Sequence, residues 1–129
     1  MKQIATFLAP NKGVSFLGEH AFAYSGLLDS GASDAEVTFL DFQTGKEYIV
    51  GRIQCFYSTD TVQSSDMIYR IKLNGQIVSQ YIDVEDIRMA GDPHQFIPII
   101  IPPNTHVEVT IASIAGAQQQ SVMFTGRVY

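Results

Sequence analysis

The chain has 129 residues, of which 46% are hydrophobic and only 16% are charged, and its formal net charge is −5. This length fits one domain with its own core. The acidic balance argues against direct binding to nucleic acid, which requires a basic patch. The small share of charged residues indicates either a surface partly covered by subunit contacts or the Ser, Thr and Gln surface of a secreted β domain.

The single cysteine, Cys55, lies within an apolar stretch and has no second cysteine with which to form an internal disulfide. We interpret it as a small core residue, because no CxxC partner or flanking cation favours a reactive thiolate. No run of 18 or more apolar residues predicts a membrane-spanning helix, and no export signal is recognisable at the N-terminus. We therefore expect no membrane partner.

Residues 1–13 are predicted to form an N-terminal arm that precedes a domain of residues 14–129. The apolar side chains of this arm are Ile4, Phe7 and Leu8. Such a segment can add an edge strand to its own sheet or lie across a neighbouring subunit, because either arrangement pairs its backbone groups. The alternative is a frayed terminus.

Alternating apolar and polar residues predict strands over residues 14–28, 35–43 and 47–58. In the second of these, one face is expected to carry Val37, Phe39 and Asp41, and the opposite face Thr38, Leu40 and Phe42. Gly51 in the third predicts a bulge or the close approach of another backbone.

The sequence Asn74-Gly75 between two alternating segments predicts a two-residue hairpin turn of type I′. The turn sets the expected pairs, which are Leu73 with Gln76, Ile71 with Val78, Tyr69 with Gln80, and Met67 with Ile82. Residues 83–94 lose the strand pattern and are predicted to form a loop.

Residues 95–113 are predicted to form two strands that are joined by a proline-stiffened turn at residues 102–105. In the second strand, Val107, Val109 and Ile111 are expected to face the core. In the first strand, two alternate sets are apolar, namely Ile97, Ile99 and Ile101, and Phe96, Pro98 and Ile100. Only one set can face the interior, so the other must be covered by the arm, a loop or a neighbouring subunit.

About eight strands with regularly spaced turns, and no helical periodicity, predict an all-β chain. The fold class that we expect is a single-domain antiparallel two-sheet β-sandwich, a jelly roll of about eight strands. An immunoglobulin-type sandwich is less favoured because the chain lacks a Cys-Trp-Cys pattern.

Catalytic, cofactor-binding and metal-binding residues are not predicted. The three histidines are far apart in the sequence, and His106 is expected to be exposed beside Glu108 and Thr110. Nucleophile-elbow, phosphate-loop and EF-hand motifs are missing from the sequence. Exposed aromatic residues could instead form a sugar-binding platform, and the candidates for it are Tyr48, Phe56, Tyr57, Tyr69 and Tyr81.

The arm, the Leu73-Asn74-Gly75 hairpin, residues 99–105 (IIIPPNT) and residues 125–129 (TGRVY) together resemble small jelly-roll proteins of virions. These are capsid, cement and decoration proteins of bacteriophages and related viruses. The resemblance implies a non-enzymatic structural protein that is made in the host cytoplasm and resides in the virion. It implies a closed homo-oligomer, such as a trimer or a pentamer, that binds other capsid proteins.

The residues predicted to contact other subunits are Ile4, Phe7, Leu8, Ile97, Ile99, Ile101 and Tyr129. A second function remains open, namely a glycan-binding or receptor-binding β-sandwich module of a phage tail or a secreted protein. A third, a cupin-like enzyme, would require a bound metal.

Overall fold

The computed structural model describes residues 6–7, 13–30, 35–57, 67–83, 96–113 and 119–129. Within these ranges the chain forms β-strands and no helix. The strands are β1 (Thr6–Phe7), β2 (Ser15–Leu17), β3 (His20–Tyr24), β4 (Leu28–Asp29), β5 (Glu36–Gln43), β6 (Ile49–Tyr57), β7 (Met67–Leu73), β8 (Gln76–Asp83), β9 (Ile97–Ile101), β10 (His106–Ser113) and β11 (Gln119–Val128).

The strands form two sheets in which every pairing is antiparallel. Sheet A has the order β1-β5-β10-β7-β8, and sheet B has the order β2-β3-β11-β6-β9, with β4 also pairing β11. The eight longest strands pair in nested fashion, β3 with β11, β5 with β10, β6 with β9, and β7 with β8. This is the jelly-roll arrangement, so the predicted fold class is confirmed.

The core lies between the inner faces of the two sheets. Val107, Val109 and Ile111 are completely buried in it, as the alternation in β10 predicts. The rings of Phe42 in sheet A and Phe124 in sheet B meet across the sandwich with 5.6 Å between their centroids. Cys55 is also buried in the core.

The predicted hairpin turn is confirmed, because Asn74 and Gly75 have φ angles of 53° and 82°. The predicted register holds only for the first pair, Leu73 with Gln76. A bulge at Val78 then shifts the pairing by one residue, so the observed pairs are Ile71 with Ser79, Tyr69 with Tyr81, and Met67 with Asp83.

A second bulge changes the alternation in β5. Val109 pairs with Leu40 whereas the next residue, Thr110, pairs with Thr38, which leaves Phe39 without an opposite residue. Phe39 and Leu40 are consequently both buried, although they are adjacent in sequence. The predicted placement of Phe39 and Leu40 on opposite faces is therefore wrong.

The prediction of one strand over residues 14–28 is also wrong. Gly18 has a φ of 61°, which a glycine adopts without steric cost, and the chain turns there. The result is a short hairpin of β2 and β3, in which Leu17 pairs with His20.

Gly51 and Gly126 face each other on the neighbouring strands β6 and β11. A Cβ atom on Gly51 would lie 2.3 Å from the carbonyl oxygen of Thr125 and 2.8 Å from the Cα of Gly126. The predicted close approach of another backbone at Gly51 is thus confirmed.

The outer edges β8 and β9 each carry a feature that opposes pairing with another chain. β8 contains the bulge at Val78, and β9 contains Pro98, which has no backbone N–H to donate. These edges are consequently poor templates for a further strand. Within the described ranges, the chain contains no helix long and apolar enough to cross a membrane.

Candidate interaction surface

The outer face of sheet B is built from side chains that alternate with the core residues of five strands. Its members come from β2, β3, β11, β6 and β9, with Phe96 immediately before β9, and we call it the aromatic face. They are Leu17, His20, Phe22, Tyr24, Val50, Arg52, Phe96, Pro98, Ile100, Met123, Thr125 and Arg127.

The strand register places these side chains in rows across the sheet. One row runs from Phe22 through Thr125 and Arg52 to Pro98. The next row runs from His20 through Arg127 and Val50 to Ile100. Side chains in a row contact their neighbours across the strands, so the face is a continuous surface.

Large apolar side chains on the aromatic face are exposed to solvent. The exposed fractions are 74% for Leu17, 54% for Tyr24, 42% for Val50, 46% for Phe96 and 62% for Ile100. The rings of Phe22 and Tyr24 lie side by side, with 5.5 Å between their centroids. Val50 and Ile100 are neighbours in one row, and grouped apolar side chains that are exposed in this way favour a contact with another macromolecule.

The charged groups of the aromatic face are arginines that lie against aromatic rings. The Arg52 guanidinium is 5.1 Å from the centroid of the Phe96 ring. The Arg127 guanidinium is 5.7 Å from the centroid of the Tyr129 ring and 3.0 Å from a carboxylate oxygen of Glu19. Arginine and aromatic residues are enriched in protein interfaces.

A shallow depression of about 380 Å³ lies in the middle of the aromatic face. Its lining includes the guanidinium groups of Arg52 and Arg127 and the His20 ring, together with the Thr125 hydroxyl and the ring of Phe96. No Asp or Glu is among the described residues that line it. Arg127 is already paired with Glu19, so Arg52 is the group in this lining that favours an anionic partner.

The outer face of sheet A carries ion pairs at Glu36, although Ile77 and Ile82 on its edge strand β8 are also exposed. Glu36 accepts hydrogen bonds from Arg70 and Lys72 at 3.0 Å each, and from the Thr110 hydroxyl at 2.9 Å. Partial burial raises the pKa of Glu36, but the hydrogen bonds from Lys72, Thr110 and Arg70 outweigh it and lower the pKa below its ordinary value. The carboxylate is thus stabilised in its charged form.

Replacing Glu36 with glutamine is expected to reduce stability at neutral pH by about 0.5–1 kcal/mol, since the pairs are partly exposed to solvent. A carboxylate with a lowered folded-state pKa contributes stability above its unfolded-state pKa, and this contribution is lost as the pH falls through the folded-state pKa. Urea unfolding at about pH 7 and about pH 3 measures this. The difference between wild type and variant should shrink in acid, and a constant difference would contradict the assignment.

His106 lies on the same face of sheet A, where its Nε2 atom contacts a carboxylate oxygen of Asp41. Its Nδ1 atom is 3.8 Å from a Glu108 oxygen. The side chain is 35% exposed, whereas Thr110 is buried beneath Glu36, so the predicted exposure of this row is only partly observed. Among the described residues, no group of three or more His, Cys, Asp or Glu side chains is arranged to hold a metal ion.

Three predicted contact residues, Ile97, Ile99 and Ile101, point towards the core. Ile101 is completely buried, and Ile97 and Ile99 pack against the core cluster. Contact through Ile101 is therefore corrected, because a buried side chain has no surface to offer a neighbour, whereas contact by the partly buried Ile97 and Ile99 stays a prediction. The alternate set of Phe96, Pro98 and Ile100 faces outwards on β9, and the β9 pattern alone could not distinguish the two sets.

The other predicted contact residues lie near the ends of the chain. Tyr129 is 60% exposed, and its backbone N–H donates to the Tyr48 carbonyl at 2.8 Å. Phe7 lies on β1, whose backbone pairs with β5. Ile4 and Leu8 lie outside the described residues, and so does the predicted loop of residues 83–94 except for Asp83, which ends β8. Contact by these residues stays a prediction.

The proposed sugar-binding platform is not assembled. Tyr69 and Tyr81 stack on each other with 4.7 Å between their centroids, and Tyr69 is only 1% exposed, so the Tyr69 ring has no open face to offer a sugar. Tyr48 immediately precedes β6, and its backbone pairs with that of Tyr129. Its side chain is exposed there, away from Tyr69 and Tyr81. The exposed aromatic rings on sheet B, such as Tyr24 and Phe96, were missed by this prediction.

Comparison with known proteins gives little similarity. No protein-family model matches the sequence, and no curated protein matches it. A solved structure that gives a partial match is a chain in the structure of the infectious bursal disease virus Gx strain, with 11% sequence identity and a TM-score of 0.45. The alignment covers 84% of the present chain and 32% of that chain, so the present chain spans about a third of the length of the chain it matches.

Proposed function

We propose that the protein is a non-enzymatic structural subunit of a virion, a capsid, cement or decoration protein that self-associates and binds neighbouring capsid proteins. The aromatic face is the observation that carries this proposal. Jelly rolls are used for capsid subunits, lectins and cupins, so the fold alone does not select among these roles. The choice among these roles therefore depends on the properties of the molecular surface.

The aromatic face favours a subunit contact for reasons of solvation. Val50 on β6 lies opposite Ile100 on the outer edge strand β9, Phe96 immediately precedes β9, and each is more than two fifths exposed. Burying such side chains yields roughly 25 cal/mol per Å² of apolar surface. Since β8 and β9 oppose edge-to-edge pairing, a face contact is favoured over pairing at these two edges.

Replacing Ile100 with lysine is expected to weaken self-association and capsid binding by on the order of tenfold, because the charge would be desolvated in the contact. Light scattering over a range of concentrations measures the molar mass. Ile77→Lys is the matched control, since Ile77 is 53% exposed on the outer face of sheet A. Equal effects of both variants, or a wild type that stays monomeric, would contradict the proposal.

The predicted arm is the second part of the proposed assembly. β1 already extends sheet A by pairing with Phe42 and Gln43. Deleting residues 1–10 is expected to weaken attachment to capsids while leaving the jelly roll folded, because the eight nested strands remain. Capsid co-sedimentation with a circular-dichroism control measures this. Full attachment of the deletion variant would exclude the arm from the contact.

A further inference from the structure

We propose that the depression around Arg52 binds a carboxylate group from the acidic surface of a second copy of the chain, so that copies associate head to tail. This inference rests on the proposed self-association and names the partner of the aromatic face. It assigns Arg52 and Phe96 to the centre of the contact.

The surroundings of Arg52 leave its guanidinium available. The arginines at positions 70 and 127 pair with Glu36 and Glu19, whereas Arg52 has no carboxylate partner among the described residues. It lies over the Phe96 ring instead. Stacking occupies the flat face of a guanidinium and leaves its N–H donors free for a bidentate bond to a carboxylate.

The strand register concentrates suitable groups around Arg52. Thr125 lies directly opposite on β11, and Arg127 is the next outward residue on that strand. Pro98 lies opposite on β9, and Phe96 completes the apolar wall. Apolar walls exclude water when a partner docks, and this strengthens a charge-assisted hydrogen bond at the bottom of the depression.

Charge complementarity identifies a second copy as the occupant. The chain has 13 acidic and 8 basic residues, and two of the basic residues lie in the depression. The rest of the surface is therefore more acidic than the chain as a whole. A two-fold contact centred on the depression would bring the arginines of both copies together, which is unfavourable. A head-to-tail contact places them against acidic groups instead.

The test compares Arg52→Glu with Lys46→Glu, which makes the same change of charge at an exposed turn residue. Sedimentation equilibrium at about 0.05 M and about 0.5 M NaCl gives the association constant under weak and strong screening of electrostatic interactions. We expect Arg52→Glu to weaken association by on the order of tenfold or more, and Lys46→Glu to leave it within about twofold. Added salt should weaken the wild type more than Arg52→Glu. Equal melting temperatures would show that the variants are folded.

The outcomes separate this inference from the proposed function. Association that Ile100→Lys abolishes but that neither Arg52→Glu nor salt affects would leave the proposed function standing and overturn the inference. A wild type that forms only dimers would also overturn it. A monomeric wild type would overturn both. If that monomer binds sialylated glycans on an array and Arg52→Glu does not, the occupant is a glycan instead.

Discussion

Alanine at position 51 is expected to destabilise the fold by about 3 kcal/mol, at the upper end of the usual cost of overpacking. The added methyl group would meet the Thr125 carbonyl oxygen at 2.3 Å and the Gly126 Cα at 2.8 Å. Both atoms belong to the backbone of β11, the central strand of sheet B, so relief requires the two strands to separate. The entropic benefit of replacing glycine, about 0.4–1 kcal/mol, does not offset this.

Urea unfolding monitored by circular dichroism measures the effect. Val50→Ala is the matched control, because Val50 is the neighbouring residue and its side chain is 42% exposed. Gly126→Ala should cost less than Gly51→Ala, since its nearest backbone contact would be 2.9 Å. An unchanged midpoint for Gly51→Ala would show that β6 and β11 are further apart than described.

Replacing Tyr69 with phenylalanine is expected to reduce stability by about 2 kcal/mol. The Tyr69 hydroxyl donates to the Gln120 Oε1 atom at 3.0 Å, and the Gln120 side chain is completely buried. The Nε2 group of Gln120 already has no hydrogen-bond partner among the described residues. Without the Tyr69 hydroxyl, the buried Gln120 amide would lose this hydrogen bond to Oε1 and would still have no partner for Nε2 among the described residues.

The double variant Tyr69→Phe with Gln120→Met is expected to recover most of that loss, because the polar group is replaced by an apolar one of similar shape. A double-mutant cycle by urea unfolding gives the coupling between the two positions. Gln54→Met, at a residue paired with Met123 on the outer face, controls for the change from amide to thioether. A double variant no more stable than Tyr69→Phe would contradict the explanation.

Periodicity and turn chemistry were sufficient to predict the architecture. Val107, Val109 and Ile111 alternate with polar residues, and alternation directly indicates which side of a strand is buried. Asn74 and Gly75 indicate a particular turn, since both tolerate positive φ. These are local properties, so the sequence carries them without knowledge of the partner strands.

The bulges could not be predicted, because they depend on the partner strand. Neither Phe39 nor Val78 is a glycine, and nothing in its own strand distinguishes it from its neighbours. Each bulge becomes visible only when a second strand is placed alongside. One bulge turned the expected opposition of Phe39 and Leu40 into joint burial, and the other displaced the register of the hairpin.

The interaction surface was predicted only in part for a related reason. The stretch around Ile97 to Ile101 was recognised as needing cover on both sides, but its two faces are almost equally apolar. Pairing with β6 decides between them, since Ile99 lies opposite Gly51, and Pro98 lies opposite Arg52 on the outer side. The meeting of Arg52 and Phe96 is likewise a tertiary contact between residues 44 positions apart in the sequence.

The nested pairing of the strands determines the order in which the sheets can be completed. Of the four nested pairs, only β7 and β8 are close in sequence, so this pair can form first and every further nested pair encloses a longer loop. The centre of sheet B is β11, which pairs with both β3 and β6. During synthesis, those two strands leave the ribosome long before β11. The apolar residues of β3 and β6 must be kept from aggregating until β11 has been synthesised and has paired with both strands. Folding is therefore expected to be slow.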